Sequence, residues 1–159
     1  MLRVTKLTDY ATVVLTVLAA QHDRVLSAAE LAERAGLEAP TVSKVLKPLA
    51  QAGLVEGFRG ANGGYRLARA PRDIGLIEIV EAMEGPLGMT ECSVHEGNCG
   101  LEQQCGVRAN WRRINDVVVE ALSNVTLAQM LAPAPVFVSD LPHETAATAK
   151  RIDLRLAGA

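Results

Sequence analysis

A chain of 159 residues suits one compact domain, or a small domain with an arm. Hydrophobic residues make up 49% and aromatics only 3%, so Leu, Val and Ala must fill the core, which favours helices over a β-sandwich. The formal net charge of −2 does not mark the whole chain as a partner for a polyanion, so any such surface must be local.

Leu2, Leu7, Val14, Leu15, Val17 and Leu18 fit helical spacing and predict a first helix over residues 5–20, with Thr8 and Asp9 interrupting its apolar face. The apolar run 11–20 is ten residues, against the about twenty that a membrane span needs. Arg3 and Lys6 followed by Ala19-Ala20 only faintly imitate a signal peptide, and none is expected because another well-formed helix follows with no obvious mature start. The expectation is therefore a cytoplasmic chain with no membrane partner.

Ser27-Ala-Ala-Glu30 has the form of a capping box and predicts a helix over 28–35, stopped at Gly36. A second helix opens at Pro40 and runs through Val42, Val45, Leu46 and Leu49 to Ala52, with Gly53 after it. Pro48 inside it should bend the helix or disrupt one turn. Residues 54–58 read as a strand, Arg59-Gly-Ala-Asn-Gly-Gly64 as a turn, and Tyr65-Arg-Leu67 as the returning strand of a β-hairpin. Ile74, Ile77, Ile79, Val80 and Met83 suggest a helix ending at Glu84, before Gly85-Pro86. Residues 87–106 read as a glycine-rich loop, and 107–123 as a long amphipathic helix carrying Trp111, Ile114, Val117, Val118, Ala121 and Leu122. One further turn near 126–131 is capped by Asn124 or Thr126, and the proline-bearing tail from 132 is expected to be extended or disordered. The fold class is thus mainly α with a small β-hairpin: a winged helix-turn-helix (1–72), a cysteine loop and long helix (73–131), and a tail (132–159).

In this order of elements, Leu31, Ala35 and Leu37 can pack on Val42, Val45 and Leu46 and hold the two helices at a steep angle. Thr41, Ser43, Lys44 and Lys47 then lie on the exposed side of the second helix, where hydroxyls reach base edges or phosphates and lysines meet phosphates. Between Pro40 and Arg72 there are six basic residues, Lys44, Lys47, Arg59, Arg66, Arg69 and Arg72, against the single acid Glu56, a local net of +5. This charge is the footprint of a DNA-binding face. Arg59, flanked by glycine at the hairpin tip, could enter a minor groove. A solvated basic face without DNA is the plainer alternative.

The three cysteines, Cys92, Cys99 and Cys105, fall within fourteen positions. Their spacing is wider than the tight pairs of most zinc sites or of thioredoxin-like redox pairs. It can wrap a larger object such as an iron–sulfur cluster. Zinc with His95 as a fourth ligand, and three plain thiols, remain open. The scattered histidines His22, His95 and His143, and the lack of a phosphate loop or paired-carboxylate pocket, speak against an enzyme.

Lys6-Leu-Thr-Asp-Tyr-Ala11, Ala39-Pro-Thr-Val-Ser-Lys-Val-Leu46, Arg59-Gly-Ala-Asn-Gly-Gly-Tyr65, the three-cysteine loop and Trp111 occur in that order. Over about residues 1–131 the chain resembles the winged-helix family of the regulators IscR and NsrR, most closely the regulators of cluster assembly by the SUF system. The resemblance implies a homodimer joined through the long C-terminal helices and a palindromic operator of double-stranded DNA. It places DNA contacts on Thr41, Ser43, Lys44, Lys47, Arg59, Gly60 and Asn62. It implies an iron–sulfur cluster, [2Fe–2S] or [4Fe–4S], on Cys92, Cys99 and Cys105, and leans toward repression of cluster-assembly genes. Some members add a histidine three residues after the last cysteine, but here that position is Arg108. Others use an aspartate of the opposite subunit at the position of Asp9. A surface carboxylate, or an ion pair with Lys6, would explain Asp9 equally well, and His95 or an exchangeable ligand could complete the site instead.

Overall fold

Thr5 starts the first helix because its hydroxyl accepts the backbone N–H of Thr8, which would otherwise have no helical partner. The computed structural model describes residues 4–21, 23–90, 93 and 104–132. Helix α1 (Lys6–Ala19) buries Thr8, Ala11, Val14, Leu15, Leu18 and Ala19, one face at helical spacing. Leu7 lies outside that face and is exposed.

The capping box forms at α2 (Ala28–Ala35): Ser27 Oγ accepts from Glu30 N–H at 3.2 Å, and the Glu30 carboxylate accepts from Ser27 N–H at 2.8 Å. The Ser27 N–H, and then the Ser27 hydroxyl that donates to the same carboxylate at 2.8 Å, hold the Glu30 carboxyl below its ordinary value. Gly36 ends α2 with φ 64°, a left-handed conformation that glycine adopts without a Cβ clash. Helix α3 (Ala39–Gln51) runs unbroken through Pro48, so the expected disruption does not occur. Pro48 stands in the last turn, where its own C=O still accepts from Ala52 N–H at 2.9 Å. Val42, Val45, Leu46 and Leu49 are buried, with Leu31 in the same core and Ala35 and Leu37 packed at its edge.

Strands β1 (Val55–Phe58) and β2 (Gly64–Leu67) pair antiparallel from Val55↔Leu67 to Phe58↔Gly64. The turn between them uses Gly60 at φ 111°. A third short segment joins this wing: Leu26 and Tyr65 exchange backbone hydrogen bonds of 2.9 and 2.7 Å just before α2. Gly64 makes that contact feasible, since a Cβ there would lie 2.3 Å from the Leu26 carbonyl oxygen.

After a 3-10 turn at Pro71–Asp73, the structure corrects one sequence expectation. Ile74 is extended rather than helical, and its carbonyl accepts from Leu127 N–H at 2.9 Å. Helix α4 (Leu76–Glu84) starts two residues later, where Glu78 caps Gly75 N–H at 2.9 Å. The periodic isoleucines hide this boundary because Ile74 is buried just as a helical residue would be. The long helix α5 (Arg108–Ser123) and the short α6 (Leu127–Met130), capped by Thr126, complete the described chain. The core joins α1, α2, α3, α4, the wing and Leu127 around Leu15, Leu18, Leu46, Leu49, Leu54 and Ile79. Each such buried side chain contributes about 1.5–3 kcal/mol. The tail from 133 on lies outside the described residues.

Candidate nucleic-acid interface and cysteine segment

Helix α3 places Lys44 and Lys47 one turn apart on its exposed side because Val42, Val45, Leu46 and Leu49 claim the other. Neither lysine forms an ion pair among the described residues, nor does Arg59 at the start of the wing turn. Gly60 and Asn62 are exposed beside Arg59. Thr41 is half-buried in the first turn of α3. Ser43 is exposed, but its hydroxyl donates to the Ala39 carbonyl at 3.0 Å, which leaves only its lone pairs for an outside donor.

The other half of the basic set is engaged. Arg66 meets Glu56 at 3.1 Å and stacks 5.1 Å from the centre of the Phe58 ring. Arg69 reaches Glu78 at 2.5 Å and the Asp73 carbonyl at 2.9 Å. Burial pushes the Glu78 carboxyl up, but Arg69 and the Gly75 N–H outweigh it and the net shift is downward. Arg72 lies 3.9 Å from Asp73, both well exposed. The local +5 therefore narrows to three cations without an ion-pair partner among the described residues, all on α3 and the wing tip. An acid just outside the basic stretch, Glu38, is the N-cap of α3 and makes no capping bond. It sits where α3 begins, and a charge count that starts at Pro40 passes over it.

Of the cysteines, Cys105 is described: a free, half-buried thiol two residues before the N-cap of α5. Free thiols of this type are the donors that iron–sulfur clusters use. Cys92, Cys99 and His95 lie outside the described residues. Asp9 is exposed in the first turn of α1, and no ion pair with Lys6 forms. It borders an open groove of about 800 Å³ whose walls include Thr12, Glu84, Val118, Leu122 and Met130. Among the described residues no three of His, Cys, Asp and Glu gather to hold a metal. No helix among them is long and apolar enough to cross a membrane.

Helix α5 leaves part of its apolar surface in water. Its one buried residue is Asn115, while Trp111, Ile114 and Val117 are 38%, 44% and 58% exposed. An apolar stripe turned to water on a helix of this length is characteristic of an association surface.

The sequence profile of the Rrf2 family, described as iron-dependent transcriptional regulators, matches residues 4–133. The chain belongs to the Rrf2 family. Among the relatives of this Rrf2 chain, Protein aau3 of Rhizobium meliloti (strain 1021) is 35% identical over 135 residues, 84% of this chain and 88% of the relative. IscR of T. potens superposes with a TM-score of 0.59 at 32% identity, covering 82% of this chain and 86% of that one. CymR of B. subtilis, titled its global cysteine regulator, superposes with a TM-score of 0.65 at 29% identity, covering 85% and 100%. This Rrf2 protein is thus a winged-helix transcriptional regulator, and its relatives are regulators rather than enzymes.

Proposed function

We propose that this Rrf2 regulator binds palindromic double-stranded DNA as a homodimer and represses genes for iron–sulfur cluster assembly, with an affinity set by a cluster of its own. The observation that carries the DNA half is the set of cations Lys44, Lys47 and Arg59, spread over α3 and the wing tip. Thr41, Ser43, Gly60 and Asn62 complete the contact surface, α3 in the major groove and the wing on the neighbouring backbone. Two copies related by a two-fold axis would meet half-sites about 34 Å apart. The exposed stripe of Trp111, Ile114 and Val117 supports the dimer, because a second copy would take it out of water. Such a protein works in the cytoplasm, where its operator is.

Cys92, Cys99 and Cys105 would hold the cluster, and Asp9 of the partner subunit would supply the fourth ligand. When bound, the cluster supplies a redox- and ligand-sensitive iron centre. Residues 1–72 act as the DNA-binding unit, 73–131 as the sensing and pairing unit. A second reading is a thiol or zinc switch on the same cysteines, in keeping with a fold whose members answer to different signals, as CymR, named a global cysteine regulator, indicates.

Anaerobic isolation decides between them. The cluster reading expects a brown, iron-containing protein whose operator affinity differs from that of the stripped protein. A colourless protein that takes up no iron on reconstitution overturns it, and bound zinc selects the alternative.

A further inference from the structure

Asn115 is the one buried residue of α5, and its Oδ1 accepts the backbone N–H of Met89 at 3.0 Å. At about 100° per residue, Ile114 and Val117 lie roughly 100° and 160° around the helix from Asn115, with Val118 and Trp111 between. The inner side near Asn115 carries the half-buried Val118, Val119 and Leu122 together with Arg108 and Arg112. The apolar residues of α5 are spread around the helix, with Val118, Val119 and Leu122 half-buried and Ile114 and Val117 exposed, so apolar burial alone does not fix which side turns inward. A buried polar group that is satisfied in one orientation and left unpaired in every other fixes that orientation.

We infer that Asn115 is a positioning residue that locks α5 about its own axis, so that Trp111, Ile114 and Val117 face a second copy of this chain. The inference rests on the dimer reading above and deepens it. Met89 also leads into the cysteine segment. Thr90 follows it, and Thr90 and Ser93 are joined by a backbone bond of 2.9 Å and a hydroxyl contact of 2.8 Å. The bond that orients the pairing helix is therefore made three residues before Cys92.

Trp111 is the only tryptophan of the chain, so its fluorescence reads this face directly. Full-length metal-free protein is diluted through its dimerisation range, with Trp111 emission and sedimentation followed together. Wild type is expected to shift to the blue as it pairs. Asn115→Leu keeps the burial, removes the acceptor, and should raise the dimer dissociation constant roughly fivefold or more, the factor of one ordinary hydrogen bond. Asn115→Asp retains the acceptor and should stay closer to wild type than Asn115→Leu. In wild type the Met89 amide should resist deuterium exchange, and in Asn115→Leu it should not. Equal dimer constants in wild type and Asn115→Leu, equal weakening in Asn115→Leu and Asn115→Asp, or an unprotected Met89 amide in wild type each overturn the inference. A wild type that stays monomeric while Met89 is protected sinks the dimer reading instead. Iodide quenching of Trp111 in that monomer then decides the orientation: equal quenching in wild type and Asn115→Leu overturns the lock.

Discussion

Thr8 and Glu84 are joined by a hydrogen bond, hydroxyl to carboxylate, across 76 positions of the sequence. The same carboxylate oxygen accepts from the Thr5 backbone N–H at 3.1 Å, so the first turn of α1 is tied to the last turn of α4. Thr8 is 1% exposed, and its hydroxyl has no better partner than this acid. The Thr8 hydroxyl, and then Thr5, hold the Glu84 carboxyl below its ordinary value of 4.5.

That lowered value sets the sign of a pH effect. A carboxyl whose folded value is depressed stabilises fully above its unfolded value, and loses the contribution as pH falls through the folded one. Thr8→Val removes the principal donor without changing the side-chain shape. It should cost about 0.5–1 kcal/mol at pH 7, below the usual range for a bond to a charged group because Glu84 is exposed. The gap from wild type should shrink as pH falls below about 4.5, the ordinary carboxyl value. Urea unfolding at several pH values between 3 and 7 measures it, and a gap that grows on acidification contradicts the assignment.

The division of the basic residues into unpaired and engaged predicts different salt behaviour. Lys44→Ala, Lys47→Ala and Arg59→Ala should each lower the slope of log affinity against log salt by about 0.9 for every phosphate left without its cation. Arg66→Ala and Arg69→Ala should leave the slope nearly unchanged, because Glu56 and Glu78 already neutralise those side chains. Fluorescence anisotropy of a labelled operator at four or five salt concentrations separates the two groups. Glu38→Gln should raise affinity for unrelated DNA, since it removes an acid at the foot of the recognition helix.

These contrasts separate what is local in the chain from what is not. The helix-turn-helix and wing are legible in the sequence because their signals are local: Ser27 with Glu30, Gly36, Pro40, and the glycines of 60–64. The number of charges is legible too, but their pairing is not. Arg69 finds Glu78 only when the turn after the wing folds back, and Glu78 lies outside the basic stretch. Thr8 reads as a break in an apolar face because its partner is 76 positions away. Leu26 stands before the α2 cap with no local strand signal, yet it is the third edge of the wing. Asn115 reads as one of the polar positions of an amphipathic helix, whereas in the fold it is the residue that turns inward. Non-local partners, rather than weak propensities, account for these misses.

Gly64 and Gly60 should respond differently to the same added methyl. At Gly64 a Cβ would stand 2.3 Å from the Leu26 oxygen and 2.6 Å from its carbon, so β2 must leave Leu26 and lose both backbone bonds. Gly64→Ala should cost about 2–3 kcal/mol and weaken DNA binding by loosening the wing. Gly60 has φ 111° but nothing within 4 Å, so Gly60→Ala meets backbone strain alone. That should cost about 1–2 kcal/mol and leave the Leu26–Tyr65 bridge intact. Thermal unfolding ranks the two, and amide exchange at Tyr65 reports the bridge.

Whether Asp9 acts across the subunit boundary can be tested by mixing two defective chains. Asp9→Ala retains all three thiols and lacks the carboxylate, while Cys105→Ala retains the carboxylate and lacks a thiol. Each homodimer should hold little iron after anaerobic reconstitution. In a mixed dimer, with the two chains carrying different affinity tags, one site pairs the intact thiols of one chain with the intact Asp9 of the other. That dimer should recover about half the wild-type iron and cluster absorbance, as two symmetry-related sites require. If Asp9 served the cysteines of its own chain, neither site would be whole and the mixed dimer would stay empty. Full loading of the Asp9→Ala homodimer would remove Asp9 from the ligand set, leaving the fourth position to His95 or an exchangeable ligand. The exposure of Asp9 on the groove wall suits the first outcome, because an acid there has no ion-pair partner in its own chain among the described residues.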